Sequence, residues 1–76
     1  MKVNVEITDT FGYEPNYSWV RRYELDVPEL MSDYAIVRRV KRAVGWSGKR
    51  TTTTKYSDMI ELRPYGECVV CFVTFN

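Results

Sequence analysis

Two cysteines, Cys68 and Cys71, form a C-x-x-C string, the spacing used by thiol redox centres and by many zinc sites. Both chemistries need the two sulfurs to converge. Here the string opens the run Cys68-Val69-Val70-Cys71-Phe72-Val73-Thr74-Phe75, which reads as a strand. Residues three apart on a strand point to opposite faces, so this pair can neither close a disulfide nor chelate one ion. The cysteines are therefore expected to be structural. Histidine is absent, which removes the usual general base near neutral pH and the commonest zinc ligand. Nothing in the sequence points to catalysis through carboxylates, lysine or tyrosine. A non-catalytic chain with no metal and no cofactor is expected.

The remaining chemistry is electrostatic, and it is unevenly placed. Residues 1–33 carry three basic side chains against seven acidic ones. Residues 34–56 carry Arg38, Arg39, Lys41, Arg42, Lys49, Arg50 and Lys55 with no acid at all. Residues 57–76 carry Arg63 against Asp58, Glu61 and Glu67. The net charge is only +1, yet one contiguous segment holds nearly all of the positive charge. Such a segment suits phosphates or an acidic protein surface, and the four threonines at 51–54 add hydroxyl donors beside it. It equally suits a solvated helix face followed by lysine and arginine gatekeepers on an edge strand. The outcome depends on whether folding carries the acidic strands alongside and cancels the patch.

The elements that must position these charges follow from periodicity. Residues 2–8 alternate, with Val3, Val5 and Ile7 on one face and Lys2, Asn4 and Glu6 on the other. Asp9 to Asn16 carries turn chemistry without a period and predicts a long hairpin-type loop holding Phe11 and Tyr13. A second strand is expected over 17–27, with Trp19, Tyr23, Leu25 and Val27 inward. Arg21 interrupts that face, so it lies near an edge or its head reaches solvent. Pro28 stops the strand, and a helix begins at Ser32 or Asp33, either of which can cap it. Ile36, Val37, Val40, Ala43 and Val44 form its apolar stripe, and Arg38, Lys41, Arg42 and, at the margin, Arg39 cover the rest. Gly45 suits the left-handed residue after the helix, with Trp46 folding back on the last turn. Residues 49–56 read as a solvated edge strand, 59–63 as a strand with Ile60 and Leu62 inward, and 68–75 as a strand apolar on both faces. The order β-β-α-β-β-β predicts one α+β domain of two layers, a single helix packed on an antiparallel sheet.

The last strand raises a second question. If Val69, Cys71, Val73 and Phe75 face the helix, then Val70 and Phe72 face away and need a cover. The 9–16 loop, a second copy of the chain or another partner would each serve, and homodimerisation through this open face is one expectation. Phe72-Val73-Thr74-Phe75 resembles the end of the RNP1 motif of RNA-recognition domains. The preceding Cys68-Val69-Val70-Cys71 lacks the basic, glycine and aromatic residues that motif requires. Of the tyrosines, Tyr34 falls on the outward helix face near Lys41, where it could join a binding surface. No apolar run approaches the length of a membrane span, and Met1–Glu6 alternates where a leader would be apolar. A cytoplasmic location without membrane contact is therefore expected.

Three phrases, Asn16-Tyr17-Ser18-Trp19-Val20-Arg21-Arg22, Gly45-Trp46-Ser47-Gly48 and Asp58-Met59-Ile60-Glu61-Leu62-Arg63-Pro64-Tyr65-Gly66, resemble the small accessory proteins of phages and prophages. The resemblance implies a class whose members bind and block or redirect a host factor, with anti-CRISPR inhibitors as one subset. It implies no catalytic residue. The expected partner is thus a host or self protein surface, met by Arg38, Lys41, Arg42, Lys49 and Arg50 or by Val70 and Phe72. The alternative is a nucleic-acid module that uses Arg38, Arg39, Lys41, Arg42, Lys49 and Arg50 on phosphates.

Overall fold

The alternation of Val3, Val5 and Ile7 organises the whole molecule, because the strand they define is flanked by others on both sides. The computed structural model describes residues 1–75. In chain order the elements are β1 (Lys2–Phe11), β2 (Glu14–Asp26), α1 (Asp33–Ala43), β3 (Thr51–Lys55), β4 (Met59–Pro64) and β5 (Val69–Phe75). The five strands form one antiparallel sheet in the order β2-β1-β5-β4-β3. This is the expected α+β architecture, with α1 laid over one sheet face.

Register decides which side chains meet the helix. Val5 lies opposite Val73 on one side and Tyr23 on the other, while Ile60 faces Val73 and Leu62 faces Cys71. Residues directly opposite in a ladder share a face, so Val3, Val5, Ile7, Ile60, Leu62, Cys71 and Val73 form one layer. Ile36 and Val40 of α1 close over it, with Val27 and Trp46 completing the core. β5 therefore faces as its sequence requires, Cys71 and Val73 toward the helix and Val70 and Phe72 away.

The ends of α1 follow from local chemistry. Ser32 is the cap, its hydroxyl accepting from the Ala35 N–H at 3.2 Å, and Asp33 supplies negative charge to the first turn. At the other end Gly45 adopts φ 82°, a left-handed value that a Cβ penalises. The Trp46 N–H then donates to the Lys41 carbonyl at 2.7 Å and the Gly45 N–H to the Arg42 carbonyl at 3.4 Å. This is the Schellman arrangement, and it turns Trp46 back into the core as its sequence position suggests.

The segment expected to be a long loop is instead the tip of a tight hairpin. Phe11 pairs with Glu14, leaving only Gly12 and Tyr13 between the strands, at φ 58° and 75°. Two successive positive φ values match the right-handed strand twist, which is why the chain can turn so sharply here. The turn-forming residues spread through this region act elsewhere. Between Thr8 and Thr10 the register shifts, and β2 bulges through Tyr17 at φ 56°. Thr8, fully buried, bridges the bulge by accepting from the Tyr17 N–H and donating to the Trp19 carbonyl, both at 3.0 Å. Asp9 accepts from the Ser18 hydroxyl at 2.6 Å, the Ser18 N–H at 2.9 Å and the Asn16 amide at 2.9 Å.

Those bonds, the Ser18 hydroxyl foremost and Asn16 next, hold the Asp9 carboxyl well below its ordinary value of 3.8. A carboxyl with a depressed folded value stabilises the fold above its unfolded value, and that contribution fades as pH falls below it. Asp9→Ala is therefore expected to lower the melting temperature at about pH 7, with the gap from the parent chain narrowing progressively below about pH 4. Thermal melts followed by circular dichroism across that range check this. A gap that stays constant with pH would show that the carboxylate does not hold the bulge.

Candidate functional site

α1 leaves β3 largely uncovered. Ile36 and Val40 sit over the apolar layer, whereas the helix-side residues of β3 are Thr51, Thr53 and Lys55, opposite Pro64, Leu62 and Ile60. Threonine is too short to reach the helix. A groove of about 1000 Å³ therefore opens between α1 and β3, floored by Val37 and Ile60. Arg38 and Lys41, three residues apart on one helix face, line one wall. Arg50 and Lys55 stand at the two ends of β3, and Tyr34 and Tyr65 flank the opening.

Four cations thus face one cavity in which, among the described residues, Asp33 is the only acid. Asp33 is engaged by Lys55 at 3.0 Å, and the Lys55 ammonium also lies 4.7 Å from the centre of the Phe75 ring. The Arg38 guanidinium lies 5.9 Å from the centre of the Tyr34 ring. The Lys41 ammonium donates to the Lys49 carbonyl, which fixes its direction along the wall. Among the described residues Arg38, Lys41 and Arg50 make no ion pair.

The sheet order keeps this charge from being cancelled. β2, which carries Glu24 and Asp26, is at the opposite edge from β3. Four strand spacings of about 4.8 Å put the two edges about 19 Å apart, more than twice the screening length of about 8 Å at physiological salt. The acids there are also occupied: Lys2 bridges Glu24 and Asp26 at 3.3 and 3.6 Å, and Arg22 pairs with Glu6 at 3.1 Å. Of the acidic N-terminal third, Asp33 alone lines the groove.

The residues singled out by sequence separate accordingly. Arg38, Lys41 and Arg50 converge on the groove. Arg42 is exposed on α1 away from it, and Lys49 is turned to an ion pair with Glu67. Lys55 and Tyr65 belong to the groove, although neither was marked as a site residue by sequence. Lys55 was visible as the last cation of the acid-free segment. Tyr65 comes from the β4–β5 turn and is placed when its N–H donates to the Arg50 carbonyl at 3.0 Å.

The open sheet face corrects one expectation. Val70 has no exposed surface, so it is not available to a partner. Thr8 is its direct neighbour on β1, and Arg63, on the same face as Glu61, is clamped between the Glu61 carboxylate at 2.7 Å and the Tyr13 carbonyl at 2.7 Å. The hairpin tip and Arg63 thus close this end of the face. Phe72 remains half-buried beside Met59 and Tyr17 in a shallow groove of about 430 Å³ bordered by the Glu6–Arg22 pair. On this face the apolar surface around Phe72 is reduced to that strip.

The cysteines are also separated. Cys68 is exposed in the turn before β5, and Cys71 is buried against the core. Burial pushes the Cys71 thiol up to about 12, the opposite of a reactive thiolate. Among the described residues no group of three or more histidine, cysteine, aspartate or glutamate side chains could hold a metal ion. No helix of these residues is long and apolar enough to cross a membrane.

The fold and its cavity define a class, a two-layer α+β domain with a basic groove between its helix and an edge strand. No family model matches the chain, and no curated protein or solved structure matches it.

Proposed function

We propose that this chain is a non-catalytic binding protein of the phage accessory kind, which works in the cytoplasm by covering an acidic surface of a host protein. The contact surface is the α1–β3 groove, and the effect is occupancy: a surface that another molecule needs is no longer free. The observation that carries this reading is the convergence of Arg38, Lys41, Arg50 and Lys55 on one concavity with a single acid. Glu24 and Asp26 lie at the opposite edge of the sheet, on β2.

A phosphate-binding role is the second reading, favoured by Tyr34, Tyr65 and the threonine hydroxyls in the same groove, which could stack on bases and donate to phosphates. Against it stands the net charge of only +1, which gives little long-range attraction for a polyanion.

The discriminating experiment is capture from a lysate of the bacterial host, with and without nuclease, by the parent chain and by the double variant Arg38→Glu, Lys41→Glu. A protein that is retained after nuclease, displaced by polyglutamate and lost on the double variant is the expected result. Capture abolished by nuclease selects the phosphate-binding role instead. Capture indifferent to the double variant removes the groove from consideration.

A further inference from the structure

The geometry points to a specific way of filling the groove: an extended acidic segment of the partner protein adds to the sheet as a sixth strand along β3. This rests on the reading of the groove as a protein-binding surface.

The register of the β3–β4 hairpin carries it. The Tyr56 N–H donates to the Met59 carbonyl at 2.7 Å and the Tyr65 N–H to the Arg50 carbonyl at 3.0 Å. Both are hydrogen-bonded pairs of one antiparallel register, in which Thr52 faces Arg63 and Thr54 faces Glu61. Hydrogen-bonded pairs alternate with non-bonded ones in such a ladder. Arg50, Thr52, Thr54 and Tyr56 therefore spend their N–H and C=O groups on β4. Thr51, Thr53 and Lys55 direct theirs outward, and β3 is the last strand of the sheet on that side. The position opposite Thr51 is Pro64, whose missing N–H is not needed in a non-bonded pair.

Thr51, Thr53 and Lys55 are also the β3 residues whose side chains line the groove. Free edge groups and groove-facing side chains thus belong to the same three positions. A strand hydrogen-bonded to them places its alternate side chains on the same face, about 7 Å apart along the strand, toward Arg38, Lys41 and Arg50. Side chains that meet three unpaired cations are complementary when they are carboxylates. Backbone pairing supplies affinity and alternate side chains supply selection, as in strand-addition recognition generally.

The other edge of the sheet is unsuited to the same use. β2 is bulged between its pairings with Thr10 and Thr8, and the residues it directs outward include Arg22, Glu24 and Asp26, already engaged by Glu6 and Lys2, so those positions offer an acidic strand no unpaired cation.

The test uses the full chain and a fluorescein-labelled synthetic peptide that alternates glutamate with threonine. Its competitor is a copy N-methylated at every second residue so that it cannot donate along one edge. At low salt the plain peptide is expected to bind, the N-methylated copy to bind about tenfold or more weakly, and binding to slow amide exchange at Thr51, Thr53 and Lys55 while leaving Thr52 and Thr54 unchanged. Thr53→Pro, which removes an outward donor but no bond to β4, should weaken the peptide similarly. Should that variant melt early, the N-methylated peptide decides, because it leaves the protein untouched. Equal binding of the two peptides, still lost on Arg38→Glu plus Lys41→Glu, overturns strand addition and leaves the groove reading standing. No peptide binding at low salt, or tighter binding of single-stranded oligothymidine, overturns both.

Discussion

Val40→Asp is expected to leave the chain without a cooperative thermal transition. Val40 has no exposed surface and lies among Ile36 and the β-sheet aliphatics of the core. Among the described residues no cation lies in that core cluster to pair with a new carboxylate. An unpaired charge in such a place costs about 4 kcal/mol or more. A chain of 76 residues has roughly 4–11 kcal/mol of total stability, toward the lower end where the core is small. The substitution therefore consumes most or all of it. Arg39→Asp is the matching control: it introduces the same side chain on an exposed position of the same helix, and such surface changes are usually worth about 0.5 kcal/mol or less. Circular dichroism melts of the two variants check this, and a cooperative melt of Val40→Asp near the parent temperature would contradict the packing of α1 on the sheet. The comparison bears on function because α1 is also one wall of the groove. If the helix detaches, Arg38 and Lys41 lose their position opposite β3.

Much of this architecture is legible in the chain because its signals are local. The period of β1, the stripe Ile36–Val40–Val44, the Gly45-Trp46 helix stop and the threonine run of β3 each specify their element within a few residues. The β1–β2 connection is not legible in the same way. Asp9, Gly12, Pro15 and Asn16 together suggest a long loop, yet only Gly12 and Tyr13 turn the chain. Asp9 and Asn16 staple a bulge instead, and a turn with tyrosine at positive φ lacks the Asn-Gly or Asp-Gly signal that marks such hairpins. The site is half legible for a related reason. The run of cations is plain from sequence, but its survival depends on β5 inserting between β1 and β4, which leaves the acidic β2 at the far edge. That pairing joins residues about seventy positions apart, such as Asn4 and Thr74, and no local pattern encodes it. The fate of Val70 is non-local too, since it is settled by where Arg63 and the hairpin tip lie.

Trp46 links stability to the site, and Trp46→Ala is expected to lower the melting temperature by about 15 °C. The indole is 9% exposed and packs in the core at the end of α1. Removing a buried tryptophan side chain costs about 3 kcal/mol or more, and in a domain of this size each kcal/mol shifts the midpoint by about 4–8 °C. Its backbone also organises the path to β3. The Trp46 carbonyl accepts from the Lys49 N–H at 3.0 Å, the Lys49 carbonyl receives the Lys41 ammonium, and the Arg50 carbonyl receives the Tyr65 N–H. The loop that presents Arg50 to the groove is thus held from three directions, one of which the indole anchors. Below its lowered midpoint the variant should therefore bind an acidic probe a few-fold more weakly than the parent, because ordering that loop then falls on the binding step. Trp46→Phe keeps a ring in the core and should recover most of both properties. If Trp46→Ala loses stability yet binds as the parent does, Arg50 is positioned by β3 alone and the helix stop serves only the fold.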